Sequence, residues 1–267
     1  MTRSILITGA SSGIGEALAL EFARRGFAVG VAARRLDRLE GLCERLRAAG
    51  APVAWSCVLD VTEFERIPAA LAEAAQALGR IDILVVNAGV GYSLPVGRGK
   101  FEQVRQTIDT NLTGALATIE HALPLLRDQG GGHIVGITSI AAWRGLPFMG
   151  AYSAAKAGLH RYLQSLKAEL RHEPVRVTEL APGYIDTEMN RGVARRPFVI
   201  PVEKGAAIMA RMIEREAGYR FVPVLPWALI APLISLLPTA LIAPRPRKLR
   251  EPPAAAEPSS PKRRPPA

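Results

Sequence analysis

"SILITGASSGIGEAL", residues 4 to 18, carries an apolar run of strand length straight into a glycine-rich turn and then into a helical pattern. That order matters more than the glycines themselves. In open α/β sheets, ligands bind beyond the carboxyl ends of the strands, where a glycine-rich turn lets the backbone approach a phosphate group at a helix N-terminus. Gly9, Gly13 and Gly15 stand in the spacing G-x3-G-x-G, which differs from G-x-G-x-x-G. The turn alone therefore leaves an inert tight turn open as a reading.

Working outward, apolar runs of strand length recur at 4–8, 28–33, 52–58, 81–87, 133–139, 175–180 and 219–224. Helical patterns fill the intervals at 13–25, 36–49, 63–78, 101–127, 151–172 and 203–216. Continuous apolar strands alternating with helices predict a doubly wound parallel sheet covered on both faces, built from right-handed βαβ units. Gly26, Gly50 and Gly79 follow three of the helices, where a left-handed stop is easiest without a Cβ.

The 267-residue chain is 49% hydrophobic and 22% charged, which argues for a folded domain. Its net charge of +10 is uneven. Seven cations against Glu251 and Glu257 place half of the excess in residues 244–267. No groove-reading or base-stacking motif accompanies them, so nucleic acid is not expected as a partner. Cys43 and Cys57 stand alone, and His121, His133, His160 and His172 are scattered, so no metal site is expected and each histidine reads as structural or exposed. The strand begins at once without a cleavable apolar leader, and a cytoplasmic protein is expected.

"GAYSAAKAGL", residues 150 to 159, sets Tyr152 and Lys156 four apart, on one helix face. Two solvated polar residues would fit that spacing equally well. Taken together, however, "TGASSGIG", "NAG" at 87–89, Asn111, Ser139, "YSAAK" and "PG" at 182–183 resemble the short-chain dehydrogenase/reductase family, in order and interval, over roughly residues 3–225.

The resemblance implies an NAD(P)-binding Rossmann sheet of seven strands in the order 3-2-1-4-5-6-7. It implies that Gly9, Ser11, Ser12, Gly13, Ile14 and Gly15 form the phosphate turn, that Asp60 and Val61 contact the adenine, and that Asn87, Ala88 and Gly89 line the cofactor. Read bottom-up, Asp60 is equally a helix cap. Tyr152 would be the general acid/base, and Lys156 would lower its pKa and bind the nicotinamide ribose. Ser139 would hydrogen-bond the substrate oxygen, and Asn111 would support a proton relay through water and Lys156. After the sixth strand, Pro182, Gly183, Ile185 and Thr187 match P-G-x3-T and would hold the carboxamide, the bland alternative being an inert turn. Chemically, a tyrosine with a pKa of about 10 needs a shift of about three units, or about 4 kcal/mol, to serve as a base at neutral pH, and an adjacent ammonium supplies part of it.

The end of the second strand tests the cofactor by charge. An acidic residue there binds ribose hydroxyls and repels a 2′-phosphate. Here the sequence reads "VAARRLDRLE", with Arg34 and Arg35 in that region. Arginine's planar fork suits a phosphate, so NADP(H) is expected over NAD(H), with Arg34 as the main contact. The alternative is that both arginines merely cover the next helix.

Substrate contacts are expected from Ser139, Ala141, Trp143, Leu146, Tyr152, Tyr184 and Met189, a largely apolar set suited to a carbonyl or alcohol substrate of apolar character. Residues 221–244 carry no charge but five prolines, which should break any helix there. We expect a catalytic domain over 1–225, an apolar segment over 226–245 serving as lid, dimer contact or membrane-surface anchor, and a disordered basic tail over 246–267. Residues 226–250 would make any peripheral membrane contact. The family resemblance implies a homodimer or homotetramer. The reading is an NADP(H)-dependent carbonyl reductase. An NAD-linked alcohol dehydrogenase and a non-catalytic dinucleotide-binding sensor or scaffold are the alternatives.

Overall fold

β1 (Ser4–Thr8) is buried along its whole length, as a strand covered on both faces must be. After it come α1 (Gly13–Arg24), β2 (Ala28–Ala33), α2 (Leu36–Ala48), β3 (Ala54–Val58), α3 (Ile67–Leu78), β4 (Ile83–Val86), α4 (Phe101–Ile108) and α5 (Gly114–Asp128). The chain continues through β5 (Gly132–Ile137), α6 (Gly150–Glu169), β6 (Val175–Pro182), β7 (Ile185–Asp186), β8 (Ile200–Pro201), α7 (Val202–Glu214), β9 (Tyr219–Val222), α8 (Val224–Leu236) and α9 (Thr239–Ile242). This computed structural model describes residues 2–191, 193 and 195–243. The basic run 245–250 and the tail read as disordered lie outside the described residues.

Seven strands form one parallel sheet in the order β3-β2-β1-β4-β5-β6-β9, the order expected, with β9 as the seventh strand. Side chains alternate along each strand and divide the core in two. Ile5, Ile7, Ile83 and Val85 face α1, α2 and α7 through Leu18, Phe22, Leu42 and Met209. Leu6, Leu84 and Val86 face α3, α5 and α6 through Leu71, Ile119, Leu123 and Leu163. Each large side chain so buried contributes about 1.5–3 kcal/mol. Between β1 and β4 the strand order reverses, which opens a crevice at the carboxyl edge of the sheet. Gly26, Gly50 and Gly79 all take positive φ (76°, 110° and 81°) and stop their helices as expected.

Two elements differ from the sequence expectation. The helix expected over 101–127 is interrupted by a wider π-type turn at Asp109–Thr113. Its cause is packing, because Gly114 passes so close to β3's exit that a Cβ there would lie 2.7 Å from the Val61 carbonyl oxygen. The prolines after residue 221 do not prevent helix formation, since α8 spans Val224–Leu236 with Leu225 extended and Pro232 inside. Pro226 falls near the start, where a missing N–H costs little. Beyond β6, β7 and β8 pair as a small parallel ladder, Ile185 opposite Ile200.

Candidate active site

The crevice holds a cleft of about 140 Å³ whose wall joins Gly9, Ser12, Gly13 and Ile14 of the glycine turn to Asn87, Gly89, Ser139, Tyr152 and Lys156. Residues 143 positions apart in the chain meet there because β1, β4 and β5 are neighbours and end on the same edge. The glycine turn is shaped by local sterics. Gly9 and Gly13 take φ of 67° and 62°, and a Cβ on Gly9 would stand 2.6 Å from the Ala88 Cα. Asn87 sews the two loops together, its Nδ2 donating to the Thr8 carbonyl at 2.9 Å and the Gly9 carbonyl at 3.2 Å. Thr8, which the sequence reading passed over, accepts at Oγ1 from the N–H groups of Asn87 (3.1 Å) and Ala88 (3.2 Å). Its position at the end of β1 was the available signal.

This cleft fits a dinucleotide on a feature of its own. The Ser12 side chain at the N-cap of α1 makes no capping bond, so the first N–H groups of the helix face the cleft without a side-chain acceptor. Such a terminus binds anions through its donors and its dipole. Beside it, Arg35 donates from Nε (3.1 Å) and Nη2 (2.8 Å) to Ser11 Oγ, and from Nη2 to Ser12 Oγ at 2.8 Å. Burial, and then the neighbouring Arg38 charge, lowers the Arg35 pKa from its ordinary value. Arg34 is more than half exposed and stands 3.5 Å from Asp60 Oδ2. Asp60 Oδ1 accepts from Thr62 N (3.0 Å) and Thr62 Oγ1 (2.8 Å), so this carboxylate also organises its own turn. Val61 is buried.

At the reacting end, Ser139 leaves β5 extended, and its Oγ accepts from the Ala141 N–H at 3.1 Å. Tyr152 and Lys156 lie on α6, with Nζ 6.0 Å from the centre of the Tyr152 ring. Lys156 is buried, and Nζ donates to the Ile137 carbonyl at 2.8 Å. Burial pushes the Lys156 pKa down to about 8. Burial raises Tyr152, while the Ser139 hydroxyl acts in the opposite direction. With protein groups alone, the tyrosine therefore moves upward, opposite to the direction that the Tyr–Lys spacing suggested.

Asn111 sits in the π-type turn, fully buried and off the cleft wall. Its amide clamps Val90 from both sides: Oδ1 accepts from Val90 N, and Nδ2 donates to Val90 O, both at 2.7 Å. The side chain thus fixes the loop after "NAG", and both of its polar ends are committed to backbone.

Pro182, Gly183, Ile185, Thr187 and Met189 complete the far wall. Thr187 stands over the glycine turn, where a Cβ on Gly13 would be 3.4 Å from its Cγ2. Four residues expected at the substrate, Ala141, Trp143, Leu146 and Tyr184, are not on this wall. Trp143 turns away because β9 offers it aromatic partners: Nε1 donates to Tyr219 Oη at 2.7 Å, and the ring lies 5.7 Å from Phe221 and 5.9 Å from His160. Tyr184 packs 6.2 Å from Trp227 of α8, whose indole covers Gly183.

Sequence reasoning also missed Thr138 and Glu179. Thr138 lines the cleft, and its Oγ1 donates to Glu179 Oε1 at 2.8 Å, while His160 Nδ1 meets the same oxygen at 2.7 Å. All three are buried. An acidic residue within the sixth apolar strand was the signal. Among the described residues, no three His, Cys, Asp or Glu side chains converge to hold a metal ion.

Known proteins supply the remaining comparison. The family model for short chain dehydrogenase matches residues 3–197. An uncharacterized oxidoreductase of Mycobacterium tuberculosis is 40% identical over 241 residues, covering 90% of this chain and 95% of that protein. A short chain dehydrogenase/reductase from Burkholderia phymatum, solved in complex with NAD, shares the fold at a TM-score of 0.79 and 24% identity, over 87% of this chain and 92% of that one. An alcohol dehydrogenase from Thermococcus sibiricus, complexed with 5-hydroxy-NADP, aligns at a TM-score of 0.74 and 28% identity, over 83% of this chain and 96% of that one. With the matched region spanning well over half of its length, this chain belongs to the short-chain dehydrogenase family.

Proposed function

We propose that the protein is an NADP(H)-dependent oxidoreductase that interconverts a carbonyl and a secondary alcohol on an apolar substrate, with Tyr152 as general acid/base. The observation that carries this reading is the single cleft in which the α1 N-terminus, Ser139, Tyr152 and Lys156 meet. A nicotinamide dinucleotide, when bound, supplies or accepts the hydride. What the chain does is bind, orient and move one proton.

Gly9 through Gly15 and the α1 N-terminus would hold the pyrophosphate, and Thr187 with the Pro182–Gly183 turn would lie along the nicotinamide end. Ser139, with its oxygen tied to the Ala141 N–H, presents its proton to the substrate oxygen. Tyr152, raised by burial, would donate its proton to the substrate oxygen in reduction and take it back in oxidation. Lys156, at about 8, is mainly an ammonium at pH 7, by about ten to one, and offers its remaining N–H bonds toward the ribose and the phenol.

The NADP(H) preference rests on Arg35 more than on Arg34. Arg35 is fixed beside the phosphate turn by Ser11 and Ser12, in a crowd of cations that a 2′-phosphate would relieve. The sensor or scaffold alternative has no use for a buried proton donor. Following NADPH and NADH absorbance against a panel of apolar ketones and aldehydes tests the reading. No oxidation of either cofactor by any member of the panel would remove it.

A further inference from the structure

α8 has two apolar faces. Trp227 and Ala231 are 3% and 4% exposed and pack on Ala181 and Phe221. Leu229, Leu233 and Leu236, spaced i, i+4 and i+7, are 70%, 62% and 80% exposed, and Leu225 and Leu241 extend the stripe at 64% and 70%. A helix that only covers a domain would carry charge on this outer side. Residues 221–244 carry none.

The next six residues, "RPRKLR", add four cations and no acid. They lie outside the described residues. An anionic lipid surface supplies both an apolar layer and the opposite charge.

Geometry excludes a span. α8 has 13 residues, about 20 Å of helix, against a hydrocarbon thickness of about 30 Å. Among the described residues, no helix is long and apolar enough to cross a membrane. The stripe is also held rigidly: Arg144 Nη1 donates to the Ser235 carbonyl (3.1 Å) and Nη2 to Thr239 Oγ1 (3.2 Å), pinning the junction of α8 and α9 to the loop after Ser139. Phe198, itself half-exposed, stands 5.7 Å from Trp227 and continues the apolar surface toward the loop that carries Met189.

We infer that α8 and α9 lie in the plane of an anionic phospholipid surface, with the leucine stripe at the acyl boundary. This goes beyond the proposed oxidoreductase function and does not depend on it.

Co-sedimentation of the full chain with vesicles of phosphatidylcholine, with and without phosphatidylglycerol, tests it. The protein is expected to pellet with the anionic vesicles and to release in high salt. Leu229→Glu with Leu233→Glu should cut the bound fraction at least about tenfold, because both side chains are outside the core. Replacing Arg245, Arg247, Lys248 and Arg250 by Gln should weaken binding to anionic vesicles by a similar factor and leave binding to neutral ones unchanged. Protein that stays in the supernatant with anionic vesicles overturns the inference, as does a leucine variant that pellets like the parent. Sedimentation velocity in which the leucine variant becomes monomeric, while the parent is dimeric and ignores vesicles, assigns the stripe to a second copy instead. NADPH oxidation in solution, measured on the same samples, reports separately on the catalytic reading.

Discussion

Replacing Asn111 by alanine removes a clamp whose two ends grip the same residue. The Asn111 amide accepts from Val90 N and donates to Val90 O, both at 2.7 Å, and the side chain is fully buried. Truncation leaves a backbone donor and a backbone acceptor without their partner. Each such orphan costs about 1–3 kcal/mol, so the expected loss is about 2–6 kcal/mol of a total stability of about 5–15 kcal/mol. The loop holding Asn87 and Gly89 should loosen with it, so affinity for NADPH should fall even though Asn111 does not line the cleft. Urea unfolding followed by circular dichroism gives the first quantity, and quenching of NADPH fluorescence gives the second. A stability change under about 1 kcal/mol together with unchanged cofactor affinity would refute the argument. It would mean that Val90 finds other partners and that the π-type turn does not govern the loop.

Tyr152→Phe should lower turnover by at least about a hundredfold while NADPH binds nearly as before, and retained turnover would take Tyr152 out of the proton transfer. Arg35→Asp should shift the ratio of kcat/KM for NADPH over NADH by about 10- to 100-fold toward NADH, and by more than Arg34→Asp does, because Arg35 is the one anchored to Ser11 and Ser12. Acid sensitivity should centre partly on His133, which burial pushes down to about 4 and whose Nε2 pairs with Thr178 Oγ1 at 2.9 Å. Its folded pKa lies below the unfolded value of about 6.5, so its share of stability is complete above pH 6.5 and is lost as pH falls toward 4, about 3 kcal/mol in all. His133→Gln should flatten that part of the stability profile, and an unaltered acid limb would contradict it.

The sheet was legible because its information is local. Each strand announces itself as an apolar run, and each helix stop at Gly26, Gly50 and Gly79 is written in one residue. The glycine turn, Ser139, Tyr152 and Lys156 stood out for a different reason, their joint resemblance to one family's pattern, since the spacing of Tyr152 and Lys156 alone fits two solvated residues equally well. What escaped the sequence depends on distant partners. The helical pattern through 101–127 shows no breaker at 109–113, and the widening there answers to Val90 and Val61, which lie elsewhere in the chain. Trp143 looked like a pocket residue until β9 set Tyr219 and Phe221 beside it. Arg34 and Arg35 are adjacent and chemically alike, and only the hydroxyls of Ser11 and Ser12 separate their roles.

The packing of Trp227 on Gly183 ties together two positions that lie on either side of the boundary at residue 197 where the family match ends. A Cβ at 183 would run into the indole. Any larger residue at 183 requires a smaller one at 227, and a C-terminal segment transplanted from a relative must bring its own matching turn. A change in the Pro182–Gly183 turn therefore reaches into α8, so the turn inside the family match and the helix beyond it form one packing unit.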